Sequence, residues 1–285
     1  MLPHWPETLI NIGFCTLYGK EFRVLLQPNK IELRLLKIDF LHGFKAKVIE
    51  QQTMEVEDET QIPSQLSSAL QNPIWRRYSP VLVLSNAFVR YAVLTWNDEI
   101  KTKQERSVYL QHSFLQHFGE VSKHWLLCEH LAGYGQASIA SGIDQVLFKQ
   151  LEAIFAAADM PLKAAHPLLM LAMNQALVYF KKSKLQQSFW LACFESERLA
   201  LVLIVQGEWK LVHNVSLEPD ANLQLHTLIQ RETVLENADE SLPVLLFADG
   251  EIRQVDSRSL PSMQAVSQTE SMQPTSCFVQ RKWVA

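Results

Sequence analysis

The chain reads as an α/β protein built from two similar halves, each a mixed β-sheet flanked by helices. Three observations predict this. In residues 81–119 an apolar run (81–84) stops at a polar break, Ser85-Asn86, a second extended run (88–96) follows, and a charged, periodic helix closes the stretch. Strand, turn, strand, helix is the skeleton of an α/β half-domain. A longer unit, a three-strand meander followed by a helix and an apolar strand, occurs twice along the chain. Helices also interleave with strands throughout, which argues for sheets covered on both faces.

The first meander is expected at 22–26, 31–38 and 44–56. Its first turn is Gln27-Pro28-Asn29-Lys30, where Pro and Asn supply turn chemistry. In the second strand Ile31, Leu33 and Leu35 face one way and Glu32, Arg34 and Leu36 the other. A polar loop (57–60) leads into a short helix at 62–70, with Pro63 tolerated in its first turn and Pro73 stopping the chain beyond it. The strands 81–84 and 88–96 follow, then a helix over 103–118, strands at 125–130 and 136–141, and a helix over 144–158 with Val146, Leu147, Leu151, Ile154 and Phe155 at helical spacing. Pro161 and Pro167 bracket a connection to an apolar helix at 168–180. The second meander occupies 188–194, 199–205 and 209–215, its turns Glu195-Ser196-Glu197 and Gln206-Gly207-Glu208, and a helix (221–236) and an apolar strand (244–247) complete it. The expected division is 1–158 for the first half, 159–256 for the second, and a Ser/Gln/Pro/Met-rich flexible tail at 257–285.

Composition narrows the function. With 285 residues the chain suffices for one large domain or two compact ones. A formal net charge of −4 argues against a nucleic-acid binder, which needs a basic face for phosphate. Cys15, Cys128, Cys193 and Cys277 lie far apart, suiting neither a disulfide framework nor a zinc site, and read as reduced cytoplasmic thiols. The first residues lack a basic segment followed by a sustained apolar one, so no signal peptide is expected. The strongest apolar run, 199–205, falls well short of the roughly 20 residues a membrane span needs.

Few side chains suggest chemistry. His112 and His117 are five apart on a helix, roughly 140° from each other, and do not make a metal pair. Cys128 reads as a structural thiol, because nothing nearby in sequence lowers its pKa. Ser85 follows an apolar strand, but its Ser-Asn-Ala-Phe context lacks the glycines of a nucleophile elbow. Gly133-Tyr134-Gly135 is the nearest thing to a Gly-rich loop and otherwise reads as a hairpin turn. Trp75, beside Arg76, Arg77 and Tyr78, is read as partly exposed, a composition favoured at protein interfaces.

The string Leu-Ser-Asn-Ala-Phe-Val-Arg-Tyr-Ala-Val-Leu-Thr-Trp (84–96), with the Gln/Arg/Tyr/His-rich helix after it, resembles the actin-like cytoplasmic proteins that assemble type IV pili and type II secretion machines, the PilM, GspL and MshI kind. The resemblance implies an actin-like, RNase H-like architecture of two halves facing across a cleft. In nucleotide-binding members an Asp and small residues occupy the first turn of each half, for the metal and the phosphates. Here the first turn, Gln27 to Lys30, has neither carboxylate nor glycine, and the second, Glu195-Ser196-Glu197-Arg198, would repel phosphates. The resemblance therefore implies a degenerate relative with no cofactor: a non-catalytic scaffold in the cytoplasm, peripheral at the inner membrane through pilus or secretion assembly partners, with a homodimer as a further expectation.

The alternative is an active ATPase or small-molecule kinase using ATP with Mg in that cleft. It needs a metal-binding carboxylate from Asp39, Asp144, Glu195 or Asp249. Asp39 with Gly43 would form a shifted phosphate turn, Gly133 and Gly135 a second, and Asp249 follows the last strand where α/β sheets place ligands. A third reading is a sensor that binds nucleotide without hydrolysis.

Overall fold

The computed structural model describes residues 18–39, 45–130, 132–183, 188–248 and 250–255. The strands are β1 (Tyr18–Gln27), β2 (Lys30–Asp39), β3 (Lys45–Glu55), β4 (Pro80–Leu84), β5 (Val89–Leu94), β6 (Trp125–His130), β7 (Ser138–Asp144), β8 (Ala164–Pro167), β9 (Phe189–Phe194), β10 (Arg198–Val205), β11 (Glu208–Ser216), β12 (Val244–Ala248) and β13 (Glu251–Val255). The helices are α1 (Ile62–Leu70), α2 (Lys103–Phe118), α3 (Gln145–Ala157), α4 (Leu168–Ser183) and α5 (Ala221–Leu235).

Three sheets result, in the orders β3-β2-β1-β4-β8, β11-β10-β9-β12-β13 and β5-β7-β6. In each five-stranded sheet the meander is antiparallel, and the strand after the helix returns parallel to the first, β4 beside β1 and β12 beside β9. The expected α/β class, with mixed sheets and flanking helices, is what the chain adopts.

Strict alternation explains why the second large sheet holds two layers apart. Phe189, Leu191 and Cys193 of β9, with Ala200, Val202 and Ile204 of β10, enter a central core that also receives α4. The intervening Trp190, Ala192, Leu199, Leu201 and Leu203 meet Leu225 and Ile229 of α5 on the other face. A one-residue slip would exchange both layers, so the register is strongly specified. In the first sheet Ile31, Leu33 and Leu35 enter the same central core, whereas Glu32 and Arg34 point away and pair with each other, as the pattern predicts.

The small sheet lies between β4 and α3 in sequence and carries α2 on one face. Ala92, Leu94 and Ala140 pack there on Phe114, while Val89, Tyr91, Leu126, Ile139 and Ile143 face the central core. A capping box, Thr102 and Glu105 each bonding the other's backbone N–H, starts α2, and Gly119, at φ 73°, ends it. That is why 103–118 is recovered to the residue.

Two strands escape the sequence pattern. β8 falls within the connection bracketed by prolines, and β13 lies beyond the last expected strand. The first pairs with β4, so residues 164–167 belong to the first sheet. The tail at 257–285 and the residues Gly43 and Asp249 lie outside the described residues.

Candidate functional site

The two large sheets meet at the turns closing β1–β2 and β9–β10. Pro28-Asn29 forms the first. The second is closed by the Glu195 N–H donating to Arg198 O at 2.9 Å. The Ser196 hydroxyl donates across to Asn29 Oδ1 at 3.3 Å. Behind this contact sits a buried polar cluster. The Ser85 hydroxyl donates to Glu195 Oε2, and the Asn86 backbone N–H donates to Glu195 Oε1 at 2.8 Å. Ser85 and Asn86 are fully buried, and Glu195 is 7% exposed.

Every polar atom of the Asn86 side chain is used. Tyr91 Oη donates to its Oδ1 at 2.6 Å, the Leu169 N–H donates to the same oxygen at 3.2 Å, and its Nδ2 approaches Cys193 Sγ at 3.5 Å. Asn214 Nδ2, from β11, donates to the carbonyls of Asn86 at 2.6 Å and Val89 at 2.9 Å. One residue of the polar break after β4 thus gathers β5, α4, β9 and β11. The signal in sequence was the break itself, two polar residues closing an all-buried strand. Glu195, the partner shared by Ser85 and Asn86, lies 110 and 109 residues from them and carries no local signature.

Burial dominates the electrostatics. It pushes the Glu195 carboxyl up to about 7, against the pull of the Ser85 and Asn86 donors and of Arg198. Burial first, then the neighbouring Glu195, lifts the Cys193 thiol and the Tyr91 phenol well above their ordinary values. Cys128 is likewise raised to about 11 by burial and Glu129, which leaves it a poor nucleophile.

Nucleotide phosphates in this fold need free backbone N–H groups at both turns and a carboxylate open to a cation. These residues do not fit that need. Pro28 has no N–H, the turns bond each other through side chains, and both Glu195 oxygens already accept hydrogen bonds.

The remaining expected site residues are scattered. Asp39 ends β2, nine residues from the turn at Lys30, about 30 Å along the strand. Gly133 and Gly135 connect β6 to β7 beside the exposed Tyr134, at the end of the small sheet where Leu94 pairs with Ser138. Val89, next to the polar cluster, is at the other end. Asp144 caps α3, accepting from the Val146 and Leu147 N–H groups at 2.8 and 2.9 Å. Among the described residues no three His, Cys, Asp or Glu side chains converge as metal ligands.

The reading of Trp75 as partly exposed is corrected. It is 1% exposed, stacked on Phe22 with ring centroids 5.0 Å apart. Arg76 and Arg77 point outward from the same turn, and Tyr78 is half-buried under the Lys20 ammonium. An apolar ring among cationic neighbours goes inward because its area is worth more there than at the surface.

No family model and no curated sequence matches the chain. Among solved structures, it is similar to a Bacteroides thetaiotaomicron protein of unknown function with an actin-like ATPase fold, at 10% identity over 88% of this chain and 90% of that one, with a TM-score of 0.56. It is similar also to the PilM–PilN type IV pilus biogenesis complex, at 10% identity over 78% of this chain and 67% of the matched one, TM-score 0.51. The chain therefore has the actin-like ATPase fold, the one implied by the resemblance at 84–96. The cytoplasmic domain of EpsL, from the type II secretion system of Vibrio cholerae, matches at 11% identity over 74% of each chain, with a TM-score of 0.48.

Proposed function

We propose that the chain is a non-catalytic scaffold that works in type IV pilus or type II secretion assembly and engages short segments of inner-membrane partners. One observation carries this reading: the two turns that would cradle phosphates are bonded to each other, Ser196 to Asn29, over a Glu195 occupied by Ser85 and Asn86. Turns tied to each other across the two sheets, over a carboxylate already occupied, suit a rigid body for others to bind. The partner class is taken from the likeness to a pilus protein solved as a complex with its partner. No helix among the described residues is long and apolar enough to cross a membrane, so attachment through partners is the simpler arrangement.

The competing reading, an ATPase or kinase, has one observation in its favour. Glu195 is a buried carboxyl titrating near neutrality beside a serine hydroxyl, a property shared with catalytic bases. Calorimetric titration with Mg-ATP, paired with thermal unfolding, separates the two. A site of 10 μM affinity would, at 1 mM free ligand, stabilise the fold by about 2.7 kcal/mol. The scaffold reading expects no heat of binding and no shift; saturable heat with a matching rise in Tm would overturn it.

A further inference from the structure

Arginines that leave the surface of this molecule bring their own carboxylates. Arg23 pairs with Glu21 at 2.6 Å, Arg106 with Glu129 at 2.6 Å, and the buried Arg34 with Glu32. Two arginines break that rule. Arg90, on β5, and Arg198, which opens β10, are both half-buried, and neither forms an ion pair among the described residues. The other unpaired arginines, Arg76 and Arg77, stand exposed, where water screens their charge.

Arg90 and Arg198 flank one seam between the halves. Arg90 follows Val89, whose carbonyl accepts from Asn214 Nδ2 at 2.9 Å, and Arg198 pairs across to β11 with Ser216, two residues beyond Asn214. Burial, and after it the charge of Arg198, lowers the Arg90 pKa, so the two guanidiniums feel each other. Nη1 of Arg90 is spent on the carbonyls of Ala87 at 2.8 Å and Val89 at 3.2 Å, which leaves Nε and Nη2 to donate elsewhere. The carboxyl that attracts Arg198 is that of Glu195, but its two oxygens already accept from Ser85 and Asn86. Glu197, beside Arg198 in the chain, is exposed. Like charges held together out of water are costly until a counter-charge joins them.

The counter-charge is defined by shape and sign. A guanidinium is a planar fork that gives a carboxylate two parallel bonds. A phosphate dianion suits the seam less, because Glu195 and Glu197 repel its second charge. A half-exposed seam also encloses a small molecule poorly, so the carboxylate belongs on a protein segment that brings further contacts.

We propose that Arg90 and Arg198 form a clamp for an aspartate or glutamate side chain carried by an acidic segment of a partner protein. This rests on the scaffold reading and gives it a docking point at the junction of the halves. The test uses the full chain, with the arginine Nε–Hε signals followed by NMR. The probe is an N-acetylated, C-amidated heptapeptide of Gly and Ser around a central Asp-Glu pair, beside its Asn-Gln counterpart, sodium acetate and inorganic phosphate. The acidic peptide should shift Arg90 and Arg198 together with a Kd below about 1 mM, and the Asn-Gln peptide should bind at least about tenfold more weakly. Arg198→Gln, which breaks no hydrogen bond or ion pair within the described residues, should weaken the acidic peptide at least about tenfold while the Tm of the free protein holds or rises. Arg90→Lys, which keeps the charge without the fork, should weaken it less. No binding of the acidic peptide, equal binding of its Asn-Gln counterpart, or binding indifferent to Arg198→Gln would each overturn the proposal. Acetate or phosphate binding as tightly as the peptide would overturn the assignment to a partner. The Mg-ATP titration on the same samples keeps the outcomes apart: peptide binding with ATP binding sinks the scaffold reading and spares the clamp, and neither binding does the reverse.

Discussion

The two halves share a backbone plan and differ where they touch. Each runs a three-strand meander, a helix, and a strand returning parallel to the first. The first half contributes a turn with a proline and an amide, Pro28-Asn29, and the polar break Ser85-Asn86. The second contributes a turn with carboxylates, of which Glu195 is buried against that break. The first half extends its sheet with β8 parallel to β4, after an inserted small sheet and α3; the second folds β13 back antiparallel through a turn at Gly250, φ 83°. The repeated part is specified by alternation and burial, which tolerate wide variation in side-chain identity. The turns answer to no such pattern, so their chemistry is free to become structural, and here the two sets of polar groups complete each other.

Four substitutions test that contrast. The largest effect is expected at Trp75, which anchors the first half from a turn rather than a strand. Trp75→Ala should cost about 3–5 kcal/mol in urea unfolding, whereas a surface tryptophan would change stability by no more than about 0.5 kcal/mol.

Glu195 comes next. Its folded pKa, about 7, is raised above the ordinary 4.5, so the folded state holds the proton more tightly than the unfolded chain. The stability it contributes is therefore present below pH 4.5 and is lost as pH rises through 7, by up to about 3 kcal/mol. Glu195→Gln keeps an acceptor for the Asn86 N–H and cannot ionise. Its stability relative to the natural chain should rise between pH 5 and 7 and level off above that in parallel denaturant titrations; a constant difference would mean that Glu195 is not desolvated at the interface.

His166, on β8, has no counterpart on β13 and tilts the profile the other way. Burial lowers its pKa to about 4, so its contribution is present above pH 6.5 and lost as pH falls toward 4. The ring keeps some contact with solvent, whose screening brings the expected contribution down to about 1 kcal/mol. His166→Gln should accordingly show less loss in acid than the natural chain. The smallest effect belongs to the contact between the turns, where Ser196→Ala should cost about 0.5–1 kcal/mol, read as a midpoint shift at unchanged slope.

Much of this was legible in sequence. β1 and β2 announce themselves through Ile31, Leu33 and Leu35 against Glu32 and Arg34, and α2 carries its own start and stop in Thr102, Glu105 and Gly119. β8 did not, because four residues between prolines are too short for periodicity; they become a strand only because β4 lies alongside. β13, Glu-Ile-Arg-Gln-Val, is an edge strand with no buried residue, held by its hairpin rather than by pattern. Trp75 was placed by its charged neighbours in sequence, but Phe22 across the fold decides its burial. Glu195 was seen as a charge in a turn; its partners stand over a hundred residues away, beyond the reach of any local rule.

If the protein's own bonds close the cleft, the Asn86 amide reports it, since its N–H donates across the halves to Glu195 Oε1 at 2.8 Å. Native-state hydrogen exchange at this one amide, followed by NMR with and without 1 mM Mg-ATP, is the measurement to make. Exchange is expected to be as slow as in the core strands β4 and β9, and identical in both conditions. Fast exchange, or exchange altered by the nucleotide, would contradict it.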